Sequence, residues 1–172
     1  MTTNLVINHR ISKKNAKYLY KNHKMNPKTI TSLFERDLNK LITEIELYKN
    51  ESNLWLVEKN ISNSAGNLAL HLVGNLNSFV GKELGNTNYI RNRELEFSDK
   101  NVPRAELIAA IKNTIKIVHD ALIPLSEEDL KKDYPVMKFA ESQSTEYLLI
   151  HLLAHLSYHL GQINYHRRLL EE

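Results

Sequence analysis

Pro27, Pro103, Pro124 and Pro135 all fall outside four long stretches in which apolar residues recur every three or four positions. This placement constrains the chain more than any other feature. Proline breaks a helix interior and glycine weakens it, so 172 residues with four of one and five of the other are suited to long helices. Asn26-Pro27 reads as an N-cap followed by proline at the first helical position, with Ser32 and Glu35 as an alternative capping box one turn later. Ile30, Phe34, Leu38, Leu41, Ile45 and Tyr48 then carry the first helix to about Lys49. Ser64 can cap a second helix, whose stripe includes Leu68, Leu72, Leu76 and Val80 and which is expected to end on Gly85 as a left-handed residue. Pro103 opens a third helix, striped by Leu107, Ile111, Ile115, Val118 and Leu122. Ser126 and Asp129 form a capping box for a short turn, and Ser144 caps a fourth helix expected to run unbroken to Leu170.

No hairpin dipeptide or sustained alternation separates these stretches, so the expected fold is an all-α four-helix bundle. The connections at 50–63, 86–102 and 123–143 are long enough for crossovers. Gly74 and Gly81 lie seven residues apart on one face of the second helix, a costly choice unless another backbone approaches there.

Every charge before Glu35 is positive, which gives the stretch 1–28 seven positive charges and leaves the remainder at −4. The expected division is therefore a basic N-terminal arm, 1–28, and a bundle, 29–172. Ile7, Ile11 and Tyr18 could share a helical face within the arm. A docked or solvated extension is the expectation, ahead of a nucleic-acid or membrane arm. The absence of cysteine removes disulfides, thiolate metal sites and a cysteine nucleophile. No apolar run approaches a membrane span and the first ten residues lack a signal-peptide core, so a cytoplasmic protein is expected.

The fourth helix carries the chemistry. At 100° per residue His151, His155, His159, Gln162 and His166 fall within an arc of about 80°, beside the leucine stripe and not opposite it. Burying imidazoles without partners costs free energy. Histidines at i and i+4 project side by side, so His155 and His159 can reach one zinc- or nickel-like ion. A polar seam sensitive to pH, or a dimer contact, is the bland alternative. His166, in the last two turns, is expected to be exposed, and His151 to pack or support. A third ligand should come from another helix. His71, set among leucines, is the candidate; His119 lies nearer solvent, and His9 and His23 belong to the arm. No glutamate follows the first histidine of either pair, which excludes the zincin arrangement, and no Glu-x-x-His occurs for a di-iron bundle.

The segment NSAGNLALHLVGNL at 63–76, together with HLSYHLGQI at 155–163, resembles the DinB/YfiT-like superfamily. The resemblance spans about 29–170. It implies a four-helix bundle with a crossover connection, a mononuclear site of His71, His155 and His159 holding zinc or nickel, and homodimers. Relatives in that superfamily include transferases and isomerases that use low-molecular-weight thiols such as bacillithiol or mycothiol. The functional expectation is therefore transfer of such a thiol to an electrophilic small-molecule substrate, or activation of water, with a non-catalytic metal-braced bundle as the alternative. Tyr158 is a candidate proton donor, or else an aromatic core residue. Arg91, Arg93, Glu96 and Phe97 resemble a loop after the second helix in one subgroup, expected to be a structural ion pair or loop anchor.

Overall fold

The computed structural model describes residues 25–58, 60–136 and 141–170. The expected helical face of Ile7, Ile11 and Tyr18, and most of the arm, lie outside these residues. Six helices follow in order: α1 (Pro27–Glu46), α2 (Ala65–Leu76), α3 (Arg93–Ser98), α4 (Arg104–Leu122), α5 (Glu127–Lys131) and α6 (Thr145–Leu170). A 3₁₀ turn at Glu51–Trp55 follows α1, and a π-helical stretch at Asn77–Lys82 prolongs α2. No strand occurs among the described residues, and none of their helices is long and apolar enough to cross a membrane.

The caps form where the sequence places them. Asn26 accepts from the Lys28 N–H at 2.9 Å with Pro27 at the first position, and Ser64 accepts from the Asn67 N–H at 3.2 Å. Ser126 and Asp129 make a reciprocal capping box, and Ser144 accepts from the Tyr147 N–H. Ser32 caps nothing; its hydroxyl turns back to the Thr29 carbonyl inside α1. That helix stops at Glu46, three residues short of the expectation, where the chain turns into the 3₁₀ segment.

Four long helices surround one core. Phe34, Leu38, Leu41 and Ile45 of α1 are fully buried with Leu72 of α2, Ile111 and Val118 of α4, and Leu152, Leu156 and Ile163 of α6. Each such side chain contributes about 1.5–3 kcal/mol relative to exposure. Both α1 and α2 pack on α4 and α6, so α1 lies diagonally from α2, and α4 from α6.

Cross-helix bonds set the directions. Asp37 meets Ser157 and Glu44 meets Asn164, so α1 and α6 run parallel. Arg104, at the start of α4, donates to the Tyr48 carbonyl after the end of α1, so these two are antiparallel. Asn77 donates to Thr114, and Gly85 lies against Ala121, so α2 and α4 are parallel. Two parallel neighbours cannot be joined by a short turn. The chain after α2 must travel back along the bundle, and α3 rides on that return beside α2. The connections from α1 to α2 and from α4 to α6 are the diagonal crossovers.

Three local expectations need correction. Gly85 is not left-handed; Asn86 takes that role at φ 52°. Gly85 is small because a Cβ there would lie 2.8 Å from the Gly81 carbonyl and 2.9 Å from the Ala121 Cβ. Its N–H reaches five residues back to Val80, which is the π-helical bond that shifts the end of α2. Gly74 and Gly81 are approached by side chains and not by a backbone: a Cβ at Gly74 would overlap the Glu96 carboxylate, and one at Gly81 would sit 2.7 Å from Ile117. His166 is buried, not exposed, because the segment after α1 folds over the end of α6. Its Nε2–H donates to the Leu56 carbonyl at 3.0 Å, leaving Nδ1 to accept from the Tyr48 hydroxyl at 2.7 Å.

Candidate metal centre

His71 projects from α2 into the bundle and meets His155 and His159, one turn apart on the antiparallel α6. The Nε2 atoms of His71 and His155 are 3.3 Å apart, and those of His155 and His159 are 3.1 Å apart. One ligand atom from each of the three lies within 4.8 Å of the other two, so the cluster could hold a metal ion. Tetrahedral coordination with metal–nitrogen bonds of 2.0–2.1 Å sets ligand nitrogens about 3.3–3.4 Å apart. The spacing fits.

Hydrogen bonds behind two of the rings fix which nitrogen faces inward. His71 Nδ1 lies 2.9 Å from Glu96 Oε2, and a carboxylate only accepts, so Nδ1 carries the proton and Nε2 keeps its lone pair. His159 Nδ1 is held in the same way by the Gln162 amide oxygen at 2.6 Å. Lone pairs converging at this distance repel one another unless a proton or a cation lies among them. Carboxylate and amide acceptors behind metal-facing histidines orient the rings and raise their basicity. Burial pushes the His71 imidazole below the ordinary histidine value, opposed by Glu96, and so favours the neutral form a metal requires.

Glu96 is itself held. Arg91 grips it with two bonds, Nε to Oε1 at 2.6 Å and Nη2 to Oε2 at 2.8 Å, and the carboxylate is 6% exposed. Gly74 makes room for it. The Phe97 ring packs against His71 at 5.0 Å between centroids. Asn67, buried on the same side of α2, donates to the carbonyls of Glu96 and Asp99 and accepts from Lys100, which clamps the return segment in place. The segment expected to be a structural ion pair is one, and it stands directly behind His71. Its spacing in the sequence shows the Arg–Glu pairing but gives no sign of what the pair supports.

The other candidates are not members of the three-histidine cluster, although Tyr158 stands beside it. His119 is bonded to Glu35 at 2.6 Å near the surface, and His151 sits half-buried on α6 outside the three-histidine group. Arg93 is exposed at the start of α3. Tyr158 is 64% exposed and so is no core residue; its ring lies 5.3 Å from that of His159, and its hydroxyl accepts from Gln162 at 3.4 Å. Gln162 also lines a cavity of about 440 Å³ with Ile61, Leu68, Tyr165, His166 and Leu169.

Residues 15–172 match the family model described as Protein of unknown function (DUF1572), which takes in the second half of the basic arm as well as the bundle. No curated protein matches the chain.

Proposed function

The chain belongs to the DUF1572 family, and from that premise we propose a metal-dependent enzyme of the DinB-like superfamily. His71, His155 and His159 hold one divalent ion, zinc or nickel, and leave a fourth position for a small thiol or for water. The observation that carries this reading is the approach of His155 Nε2 to the Nε2 atoms of His71 and His159, at 3.3 and 3.1 Å, within a three-histidine cluster drawn from two helices that could hold a metal ion. A divalent ion with three neutral ligands supplies the positive charge that acidifies a thiol or water beside it.

The chain's own residues do the positioning. Arg91 and Glu96 fix the His71 ring, and Gln162 fixes His159. Gln162 also borders the cavity, which has room for the organic part of a substrate. The exposed Tyr158 hydroxyl, bonded to Gln162, is the candidate to carry a proton to or from solvent. With no cysteine in the chain, the thiol comes from solution, as a low-molecular-weight thiol of the cytoplasm does.

A thiol of pKa about 8.5 is only a few per cent ionised at pH 7, so full ionisation multiplies the nucleophile by about 30-fold. Metal-loaded protein should therefore speed attack of bacillithiol, mycothiol or a simpler thiol on a chromogenic haloarene or an epoxide by about tenfold or more over His155→Ala. Equal rates for the two proteins with every thiol and electrophile would remove thiol transfer, and ester and amide substrates would then test water activation. Failure of both would favour the second reading, an ion that braces α2 against α6. The bidentate Arg91–Glu96 grip, which immobilises His71, supports that reading equally well.

A further inference from the structure

Asn67, Asn75 and Asn77, on α2 and its π-helical extension, are all buried. Two of them are fully engaged: Asn67 donates to the carbonyls of Glu96 and Asp99, and Asn77 to the Val73 carbonyl and the Thr114 hydroxyl. Asn75 is the exception. It is 5% exposed, and its amide oxygen is closed off without a hydrogen-bond partner among the described residues. A carboxamide buried in this way destabilises a fold unless a donor reaches it. Its retention in a helix of leucines points to a donor that comes from outside the chain.

The position of Asn75 on the helix says where that donor lies. At 100° per residue Asn75 stands 40° from His71 and 60° from Leu72, between a side chain that meets His155 and His159 and one fully buried in the core. It therefore faces α6. Since the two helices are antiparallel, one turn forward from His71 is one turn back along α6, from the level of His155 and His159 toward that of His151. Gly74, over which the Glu96 carboxylate lies, is on the other side of His71. The carboxamide thus flanks the three-histidine cluster on the side toward the core, away from the Arg91–Glu96 pair.

The walls around this position carry no net charge. Neither α2 nor the span of α6 from Tyr147 to His166 contains Asp, Glu, Lys or Arg, and Arg91 and Glu96 neutralise each other. A charged end of a ligand would find no counter-ion here, whereas a neutral N–H or O–H would find the Asn75 oxygen.

We propose that Asn75 is a specificity-determining residue of the metal site, accepting a hydrogen bond from an uncharged amide or hydroxyl of the small molecule that enters the fourth position. This rests on the metal reading above. Asn75 touches the ligand and not the ion, so metal affinity does not depend on it. A thiol with an amide or hydroxyl a few atoms from its sulfur is selected over a plain alkyl thiol.

Cobalt(II) in place of zinc gives a visible spectrum that changes when a thiol sulfur joins the ion, so thiol affinity is read without turnover. The probes are 2-mercaptoacetamide and 1-propanethiol, which are close in size. The ratio of their affinities should be about three- to tenfold smaller in Asn75→Leu and in Asn75→Ala than in the parent, the worth of one hydrogen bond, with cobalt affinity unchanged and both variants folded by circular dichroism. An equal ratio in all three proteins would overturn the proposal. So would a parallel loss of cobalt affinity in both variants, which would make Asn75 a support for a ligand ring. A parent that takes up no cobalt would remove the metal reading itself, and this proposal with it.

Discussion

Glu96→Ala should lower stability by about 3–5 kcal/mol, the usual cost of removing one member of a buried ion pair. The substitution strands the Arg91 guanidinium and leaves the His71 Nδ1–H without its acceptor, both among largely buried groups. For a domain of this size each kcal/mol moves the melting temperature by about 2–4 °C, so the expected fall is about 6–20 °C. The same change should weaken metal uptake by about 10- to 100-fold, the usual effect of losing a partner behind a ligand. Glu94→Ala, two residues away on the exposed side of α3, should alter neither quantity. Parallel melting curves and metal titrations of the two variants check this. A variant that loses stability but keeps full metal affinity after correction for unfolding would reduce Glu96 to a structural role.

Saturating zinc or nickel should raise the melting temperature of the metal-free protein by about 5–11 °C. Free metal at 100 times Kd adds about 2.7 kcal/mol, and the ligands link α2 to α6, which no covalent bond constrains. His71→Ala, His155→Ala and His159→Ala should each abolish the rise, while His119→Ala, remote from the cluster and tied to Glu35, should retain it. A rise that survives in all three ligand variants would place the ion elsewhere in the chain.

The bundle is legible in the sequence because its helices are long and their stripes regular; the residues of α1 expected to face inward are buried almost one for one. The three histidines are legible for a related reason. A polar side chain repeated beside a leucine stripe, or set alone in one, has no packing explanation, so His71, His155 and His159 stand out from purely local pattern. Glu96 does not. Its place behind His71 follows from the parallel arrangement of α2 and α4, which forces the return segment along α2, and no local periodicity encodes that path. His166 misleads for the same kind of reason: its burial depends on the segment after α1 folding over a helix end more than 100 residues later. The π-helical end of α2 rests on Asn77, whose amide takes the Val73 carbonyl and reaches Thr114 on α4, a contact invisible before the helices pack.

Metal content of protein purified without an affinity tag, dialysed against zinc or nickel and then freed of unbound ion, tests the central claim most directly. Elemental analysis should find one ion per chain in the parent protein and none in His71→Ala, with both proteins folded by circular dichroism. Stoichiometric metal in folded His71→Ala, or a folded parent that takes up none, would contradict the assignment of His71, His155 and His159 to a single metal site.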